Sequence, residues 1–478
     1  MSVWARAAAW VEERSGLPSA VGRLLRHPVP PRTGWRYVFG SATLVAFALQ
    51  VVTGTVLATV YAPSAAQAYP SLQWITHAAA FGRVLRGLHY FGASAMVVLV
   101  AAHMARVFLT ASYKYPREIA WLTGVGLLFA TLAMAFTGQL LRWDQDAIWS
   151  AVVAAEQAAR VPLVGPWLVH LILGGSTLGA PTLTRAFATH VFALPAAIFA
   201  LVGVHLWLVL RNGISEPPEI SAPAEPGYSA WYRALLAREG RPFWPDVAWR
   251  DAAFGALVVA AVLGLALAVG PVPLGRPPDP TLVDASPRPD WYFLWYFAAL
   301  AELPRRLETP VMVLGPLAAA AALLALPFVG GRGSRHLRAR RWAPVAVGLA
   351  VAGLAWLTVL GDREPWSPRF AVRPVAAPAG ATPVVAQGAR LFHDRGCEYC
   401  HAVGGQGGIR GPDLTHVAER LNHAQIVARI LGGAGNMPAY PDLAPGELEA
   451  IVAYLTTRET ERAGRGGRRV VRGGQSDG

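Results

Sequence analysis

The chain has 478 residues, of which 54% are hydrophobic and 15% charged, and its mean hydropathy is +0.36. A soluble domain carries roughly a quarter charged residues, so this composition excludes an ordinary soluble protein and predicts a polytopic membrane protein with a soluble part. The net charge of +13 comes from arginine, with Lys114 as the only lysine. Because the arginines cluster in loops between apolar runs, they predict membrane topology and exclude nucleic acid as a partner.

Seven apolar runs approach or exceed the roughly 17–25 residues that a helix needs to cross a bilayer. In chain order they cover residues 38–60, 84–109, 119–141, 183–210, 252–270, 311–330 and 343–360. Residues 144–175 are apolar but interrupted by Trp, Pro and Gly, so we expect short helices on the membrane surface. Residues 212–250 are expected to form a linker. The proline-rich residues 271–290 predict a long functional loop.

The predicted fold class is therefore all-α, a membrane bundle of about seven helices with a soluble domain at the C-terminal end. We expect residues 1–215 to carry the first four spans and residues 216–365 the last three spans with their loop. Residues 380–460 have a soluble composition and predict a separate domain. The Arg- and Gly-rich residues 461–478 predict a disordered tail.

Basic residues indicate the orientation of the spans. They are concentrated in the N-terminal segment and in the loops after the second, fourth and sixth spans. Positively charged loops stay in the cytoplasm, so we expect a cytoplasmic N-terminus. Seven spans then place the C-terminal domain on the outer side of a bacterial cytoplasmic membrane.

Four histidines lie inside two of the predicted spans. His89 and His103 are spaced i to i+14 in the second span, and His190 and His205 are spaced i to i+15 in the fourth. These separations are about 3.9 and 4.2 helical turns, so each pair lies near one helix face. A single histidine in a span is most simply a packed core residue. Two matched pairs instead predict two levels, His89 with His190 and His103 with His205, each suited to a bis-histidine b haem.

Glycines repeat the histidine spacing in the neighbouring spans. Gly40 and Gly54 in the first span are also spaced i to i+14, as are Gly124 and Gly138 in the third. A position without a side chain lets a flat macrocycle approach the backbone. Small residues also occur where membrane helices pack closely. The shared spacing favours the first interpretation, in which these glycines bind haem.

Both cysteines of the chain fall in one short run, "RGCEYCHAVG". Cys-x-x-Cys-His is the attachment signature of a c-type haem, with Cys397 and Cys400 forming the thioethers and His401 ligating the iron. A five-residue pattern can arise by chance, so its surroundings must support it. Since no further cysteine is present, this chain is not expected to bind an iron–sulfur cluster.

The apolar half of the sequence resembles a known family. The stretches "LQVVTG", "LHYFGASAMVVLVAAHMARVFLT", "KYPREIAWLTGV", "RWDQ" and "STLGAPTLTRAFATHVFALP" are similar to cytochrome b of the cytochrome bc family, nearest to the b6f type. The later stretches "SPRPDWYFLWYF" and "RRWAP" resemble subunit IV of the b6f complexes. The likeness covers about residues 30–360. It implies a quinol oxidation site at the outer face and a quinone reduction site at the inner face.

One position departs from the b6f type. That type tethers an extra haem near the inner face through a cysteine, and the matching residue here is Val38. A thioether cannot form at valine, so a covalent extra haem is not expected.

The resemblance also implies the residues of the outer quinol site. The family sequence Pro-Glu-Trp-Tyr appears here as Pro289, Asp290, Trp291 and Tyr292. A carboxylate can accept a quinol proton by general base action, and the shorter Asp form points to menaquinol as the substrate. Without the resemblance, Trp291 and Tyr292 are aromatic anchors at the membrane interface and Asp290 is a helix N-cap.

Residues around the cysteine motif resemble a small class I cytochrome c. The stretch "GARLFHDRGCEYCHAVGG" and the later "NMPAYPDLAPGELEAIVAYL" carry the likeness. It implies Met437 as the sixth haem ligand, and a carbonyl at Pro412 that orients His401. Three histidines are rival ligands that we expect to lie on the surface: His393, His416 and His423.

The resemblance implies a quinol:cytochrome c oxidoreductase subunit that runs a Q-cycle with proton translocation. Its cofactors would be two b haems, one covalent c haem and quinol or quinone. A separate Rieske iron–sulfur protein would pass one electron to haem c, and a cytochrome c or other acceptor would take it onward. The family implies a homodimer. An alternative is a haem-bearing membrane anchor that links a dehydrogenase to the quinone pool, and a third possibility is a transporter with a sensor cytochrome domain.

Overall fold

The computed structural model describes residues 2–175, 178–278, 288–363, 377–378, 380–407, 411–433, 437 and 439–470. The chain forms two compact units. The first contains Met1–Arg142, Ala186–Leu274 and Asp290–Asp362. The second contains Trp143–Arg185, Gly275–Pro289 and Arg363–Gly478. The domain boundaries proposed from the sequence remain a prediction.

Helices account for nearly all the regular structure of the described residues. The helices are α1 (Val3–Ser15), α2 (Leu17–Leu25), α3 (Phe39–Ala58), α4 (Ala68–His77), α5 (Gly82–Leu109), α6 (Glu118–Leu140), α7 (Gln145–Ala159), α8 (Gly165–Leu173), α9 (Ala180–Ala188), α10 (Leu194–Asn212), α11 (Tyr228–Glu239), α12 (Ala248–Ala268), α13 (Trp291–Ala301), α14 (Arg305–Val329), α15 (Trp342–Arg363), α16 (Pro383–Asp394), α17 (His423–Gly432) and α18 (Pro445–Val470). Four two-residue strands form two antiparallel pairs: β1 (Pro28–Val29) with β2 (Arg241–Pro242), and β3 (Ala402–Val403) with β4 (Gln406–Gly407).

Seven helical stretches are long and apolar enough to cross a membrane within the described part of the chain. They are α3, α5, α6, the continuous stretch Ala180–Asn212, α12, α14 and α15. The seven predicted spans are confirmed, with ends that shift by a few residues. The short helices expected within residues 144–175 are present as α7 and α8.

A π-helical turn at Thr189–Ala193 joins α9 to α10 and contains His190. Bonds from i to i+5 accommodate one extra residue in such a turn. The i to i+15 interval from His190 to His205 therefore rotates by nearly the same angle as the i to i+14 interval from His89 to His103. Both histidine pairs therefore lie along one helix face, because the π-helical turn accommodates the one additional residue between His190 and His205.

The predicted linker at 212–250 is more structured than expected, since it contains α11. An ion pair between one residue before this helix and one residue after it explains why the segment is ordered. Glu216 and Arg335 are each 1% exposed and form an ion pair at 3.1 Å. Tyr228 donates its hydroxyl to Glu216 and accepts from Arg117 Nη1 at 3.0 Å. Buried charges need such partners, and here they tie the segment to the membrane unit.

In the second unit, α16, α17 and α18 surround an apolar core that includes Phe392, Ile426 and Ile451. Asn422 caps α17 in a capping box with Gln425, a device that satisfies the first backbone N–H groups of a helix. α18 continues to Val470, into the stretch that was predicted to be disordered from residue 461. Arg, Glu and Ala favour helix there. Residues 471–478 lie outside the described residues.

Candidate functional site

The four histidines meet in two pairs inside the first unit. The imidazole centroids of His89 and His190 are 6.3 Å apart, with planes at 80°. Those of His103 and His205 are 6.5 Å apart, with planes at 76°. The structure thus brings together the two pairs that the spacing predicts. Two metal–imidazole bonds of about 2 Å place facing nitrogens roughly 4 Å apart. When the distance from each ring centroid to its nitrogen is subtracted, the observed centroid separations leave room for this nitrogen–nitrogen distance.

Threonine hydroxyls orient three of these rings. Thr53 Oγ1 lies 2.9 Å from His89 Nδ1, Thr123 Oγ1 lies 2.9 Å from His205 Nδ1, and Thr137 Oγ1 lies 3.1 Å from His190 Nδ1. Each hydroxyl also donates to a backbone carbonyl on its own helix. It therefore accepts from Nδ1–H, which leaves Nε2 of the ring as a free metal ligand.

The glycines face the imidazoles. A Cβ at Gly54 would lie 3.0 Å from His89 Cε1, and one at Gly40 would lie 3.1 Å from His103 Cε1. At Gly138 the distance to His190 Cε1 would be 2.7 Å, and at Gly124 the distance to His205 Cε1 would be 3.7 Å. We predicted room for a macrocycle at these positions. At Gly40, Gly54 and Gly138 a Cβ would crowd the histidine ring, so these three glycines allow the ring to approach the neighbouring helix closely. Contact of the four glycines with a macrocycle stays a prediction.

The sequence analysis missed the threonines, although a signal for them was present. Three of the four glycines follow a threonine directly, at Thr53, Thr123 and Thr137. A Thr-Gly pair places a hydroxyl and an empty position side by side on one helix, so both can contact the same imidazole.

A buried arginine lies one turn beyond the His103 level. The Arg106 guanidinium stacks on the Tyr37 ring at 3.8 Å, and its Nε and Nη2 have no hydrogen-bond partner among the described residues. Buried N–H donors without acceptors are costly. An anionic group such as a haem carboxylate would satisfy them. Together with the paired imidazoles, this shows that the residues present fit b haem.

Asp290 lies at the start of α13 among polar groups of the first unit. It occupies the N-cap position, but its side chain makes no capping bond. Its Oδ2 instead accepts from Tyr292 OH at 2.7 Å, and its Oδ1 lies 3.7 Å from Arg142 Nη1. Burial, followed by the neighbouring Asp290 charge, raises the pKa of Tyr292. The phenol therefore stays protonated and remains a hydrogen-bond donor to the carboxylate.

The other two residues of this predicted set are placed differently. Trp291 is 40% exposed and donates its indole N–H to Ser94 Oγ at 3.2 Å. This is the surface position expected of an interfacial aromatic residue. Pro289 is buried in the second unit. Of the four residues, Asp290 and Tyr292 present polar groups to the same cavity.

A cavity of about 370 Å³ joins this carboxylate to one histidine level. Its walls include His89, His190, Asp290, Tyr292 and Arg142. The cavity is mostly apolar with a few converging polar groups, which is typical of small-molecule sites. A ligand in it would contact the Asp290 carboxylate while lying beside the imidazoles of His89 and His190.

Within the second unit, the start of α7 holds both ends of the loop that leads to Asp290. Asp144 is fully buried, caps α7 through Ala147 N at 3.0 Å and accepts from Gly275 N at 2.9 Å. Asp146 Oδ1 accepts from Arg288 N at 3.0 Å. The two aspartates of "RWDQD" thus fix the loop where it begins and where it ends. Residues 279–287, between these ends, lie outside the described residues.

His401 shows the environment of a haem ligand. Its Nδ1 lies 2.8 Å from the Pro412 carbonyl, which is the hydrogen bond that the resemblance implies. Burial lowers the pKa of His401, and the bond to Pro412 opposes that shift. A Cβ at Gly411 would lie 2.4 Å from His401 Cε1, so this position requires glycine. Gly411 was not among the predicted site residues. The ring is therefore fixed in the tautomer that leaves Nε2 free.

The remaining residues of the cytochrome c motif are near the same core. Cys397 and Met437 both pack against it, and Cys400 follows the turn Cys397–Tyr399. The rival histidines each contact a carboxylate: His393 contacts Glu398, His416 contacts Glu419 at 3.1 Å and His423 contacts Glu449 at 3.0 Å. The donor set of Cys397, Cys400 and His401 fits a covalent haem.

Three known families match consecutive parts of the chain. Cytochrome b/b6/petB matches residues 24–213, and cytochrome b(C-terminal)/b6/petD matches residues 277–378. The family described as cytochrome C oxidase, cbb3-type, subunit III matches residues 383–455. These ranges cover both histidine levels, the Asp290 region and the Cys-x-x-Cys-His motif.

Individual proteins agree with the family matches. Cytochrome b6 of Heliobacterium mobile is 40% identical over 210 residues, which are 44% of this chain and 99% of that protein. The menaquinol:cytochrome c reductase cytochrome b subunit of Bacillus subtilis is 37% identical over 216 residues, 44% of this chain and 96% of its own length. A solved chain of a hyperthermophilic respiratory Complex III aligns with a TM-score of 0.64 and 27% identity, covering 75% of this chain and 91% of its own.

Proposed function

Because the chain belongs to the cytochrome b/b6 family and ends in a cytochrome c domain, we propose that it is the quinol-oxidising and electron-exporting subunit of a bc-type complex. The observation that carries the proposal is the cavity in which Asp290 and Tyr292 face the His89 and His190 pair. A proton acceptor and a redox cofactor site in one cavity are what quinol oxidation requires, since protons and electrons leave the same molecule.

Two b haems would be held by the four histidines through Nε2, one at each level. When bound, these haems accept and relay electrons across the membrane. The chain's own residues set their position. Thr53, Thr123 and Thr137 orient the imidazoles, and the neighbouring glycines allow them to lie against α3 and α6.

At the outer site, Asp290 would accept a proton from the quinol hydroxyl. Tyr292 donates to the carboxylate and fixes its direction, and the apolar walls of the cavity exclude bulk water. The Bacillus subtilis relative is named as a menaquinol:cytochrome c reductase subunit. We take menaquinol as the substrate of this chain as well, in line with the Asp form of the site.

In the C-terminal domain, Cys397 and Cys400 would bind haem c covalently, with His401 and Met437 as axial ligands. Packing of Met437 against the domain core supports this choice, as do the carboxylate contacts of the three rival histidines. Histidine–methionine ligation raises the haem potential relative to bis-histidine ligation, which suits an electron acceptor.

Topology and partners complete the proposal. Seven spans and the distribution of arginine favour a cytoplasmic N-terminus and a cytochrome c domain on the outer side. A separate Rieske protein is required, because both cysteines of this chain belong to the haem c motif. The complex would work as a homodimer, run a Q-cycle coupled to proton translocation and deliver electrons to a cytochrome c or other acceptor.

The test is a redox titration of the purified complex followed by reduced-minus-oxidised spectra. We expect two b haems for each c haem, co-purification of a Rieske protein, and quinol-dependent reduction of haem c that stops with an outer-site inhibitor. A b to c ratio other than about two to one would refute the proposal. Quinol oxidation without a Rieske protein or outer-site inhibition would instead favour the membrane-anchor alternative.

Gly138→Ala is expected to disturb the outer b haem. The new Cβ would lie 2.7 Å from His190 Cε1, so the imidazole must move. We expect loss or a shifted potential of one b haem, measured by redox titration. Gly203→Ala, in α10 where nothing lies within 4 Å of the added Cβ, is the matched control. Equal behaviour of the two variants would contradict the expected contact.

Asp146→Ala is expected to weaken quinol binding while both b haems are retained. It removes the acceptor for Arg288 N, two residues before Asp290. Hydrogen bonds to charged groups contribute about 1.5–3 kcal/mol, so we expect KM for quinol to rise roughly tenfold or more. Asp146→Asn keeps an Oδ1 acceptor without the charge, so its KM should lie between those of the wild type and Asp146→Ala. An unchanged KM in Asp146→Ala would show that this bond does not position the loop.

A further inference from the structure

Arg142 forms an ion pair with Asp290, the proposed proton acceptor. Its Nη1 lies 3.7 Å from Asp290 Oδ1, and the two side chains are only 14% and 11% exposed. Both line the cavity that contains His89 and His190. Arg142 follows α6 and precedes the "WDQ" residues, so the helix end fixes its position. An ion pair with this little exposure is weakly screened by solvent.

The groups around the Asp290 carboxyl come from three helices. Arg142 and Gln139 belong to the end of α6, Tyr292 to α13 and Tyr90 to α5. Gln139 accepts from the backbone N–H of Asp290. Among these groups, Arg142 carries the positive charge, while Tyr292 donates a hydrogen bond to the carboxylate. Both interactions favour the ionised form of the carboxyl.

Other arginines of this region are directed elsewhere. Arg86 lines the cavity, but its guanidinium donates to Thr76 Oγ1 at 2.9 Å and to the Val272 carbonyl at 2.8 Å. Arg83 is exposed and donates to the Val269 carbonyl at 3.1 Å. Arg288 precedes Asp290 by two residues, and its side chain is exposed. Among the contacts that the described residues show, the ion pair with the Asp290 carboxylate is made by Arg142.

We propose that Arg142 is a positioning residue that keeps the Asp290 carboxyl ionised and directed into the cavity, so that quinol oxidation continues at acidic pH. This inference rests on the proposed function. In the step concerned, one quinol O–H bond breaks, its proton binds to an Asp290 oxygen, and one electron leaves the quinol to an oxidant of the bc-type complex. A neutral carboxyl cannot accept that proton, so the pH at which Asp290 becomes protonated sets the acid limit of the reaction.

The test is the pH profile of kcat/KM for quinol in the intact complex. An opposite charge at this distance lowers a carboxyl pKa by roughly 1–3 units. Arg142→Gln should therefore move the acid limb of the profile to higher pH by about one unit or more. Arg142→Lys keeps the charge and should remain near the wild type. Arg83→Gln removes one charge from the same end of the bundle without facing Asp290, and its acid limb should not move.

The outcomes separate this inference from the proposed function. A wild-type complex without quinol-dependent haem c reduction would defeat the proposed function. An active wild type together with an unmoved acid limb in Arg142→Gln would overturn the role of Arg142 alone. If Arg142→Gln does not assemble with its b haems, Arg142→Met decides in the same way, because it keeps a long apolar stem without the charge.

Discussion

His190→Leu is expected to remove one of the two b haems and to abolish turnover. Leucine has no nitrogen ligand, and His89 alone leaves one side of the iron without its protein ligand. The b to c haem ratio should fall from about two to about one, as measured by pyridine haemochrome spectra. Quinol-dependent reduction of haem c should fall to background. The remaining b haem should titrate with the potential of the His103 and His205 level.

The matched control is His170→Leu. His170 lies on α8 with an exposed side chain, so the same substitution there should leave the haem ratio and turnover unchanged. A full complement of two b haems in His190→Leu would contradict the paired-histidine assignment. Chemical reduction of haem c by ascorbate should be unaffected in both variants, which shows that the C-terminal domain is intact.

Asp290→Asn is expected to lower kcat for quinol oxidation by about 10²–10⁴, the usual contribution of a general base. The amide retains the shape of the side chain, but it cannot take a proton at neutral pH. Haem content and potentials should stay unchanged, since Asp290 ligates no metal in the proposed site. The measurement is steady-state haem c reduction at saturating quinol, with the spectra recorded on the same sample.

Two further variants make this test specific. Asp290→Glu restores the family residue and should keep most of the activity. Glu302→Gln neutralises an exposed carboxylate at the other end of α13 and should be silent. Asp290→Asn with wild-type kcat would remove Asp290 from the proton path, and the polar groups around it would then have a structural role.

Much of the architecture could be predicted from the sequence because membrane physics leaves few alternatives. Backbone groups in lipid must bond internally, so long apolar runs become helices, and all seven spans appear within a few residues of the predictions. The candidate site residues in the spans could be predicted from their chemical type. Charged or polar residues in such runs are costly, which made the four histidines stand out as site residues.

Tertiary structure was needed wherever the meaning of a residue depends on a partner distant in the chain. The sequence placed each histidine pair near one helix face, and the π turn at Thr189–Ala193 explains how the longer interval from His190 to His205 keeps that alignment. The glycines were predicted to lie against a macrocycle, and the structure adds that they also lie against imidazoles of neighbouring helices. The linker predicted at 212–250 contains a helix and a buried ion pair between Glu216 and Arg335, which the sequence does not show because the two residues are distant in the chain.

By itself, then, the sequence determined the helical membrane bundle, the two histidine levels and the haem c motif, since each follows from short-range spacing and from the cost of polar groups in lipid. Only the tertiary structure decided which groups meet around Asp290. Arg142 lies far along the chain from Asp290 and Tyr292, and its contact with Asp290 depends on how the segment after α6 packs against the start of α13. The bond between Tyr292 and Asp290 is local, since the two residues are two positions apart. Side-chain distances of a few ångströms across helices set charge pairing and ionisation, and no pattern along one stretch of sequence contains them.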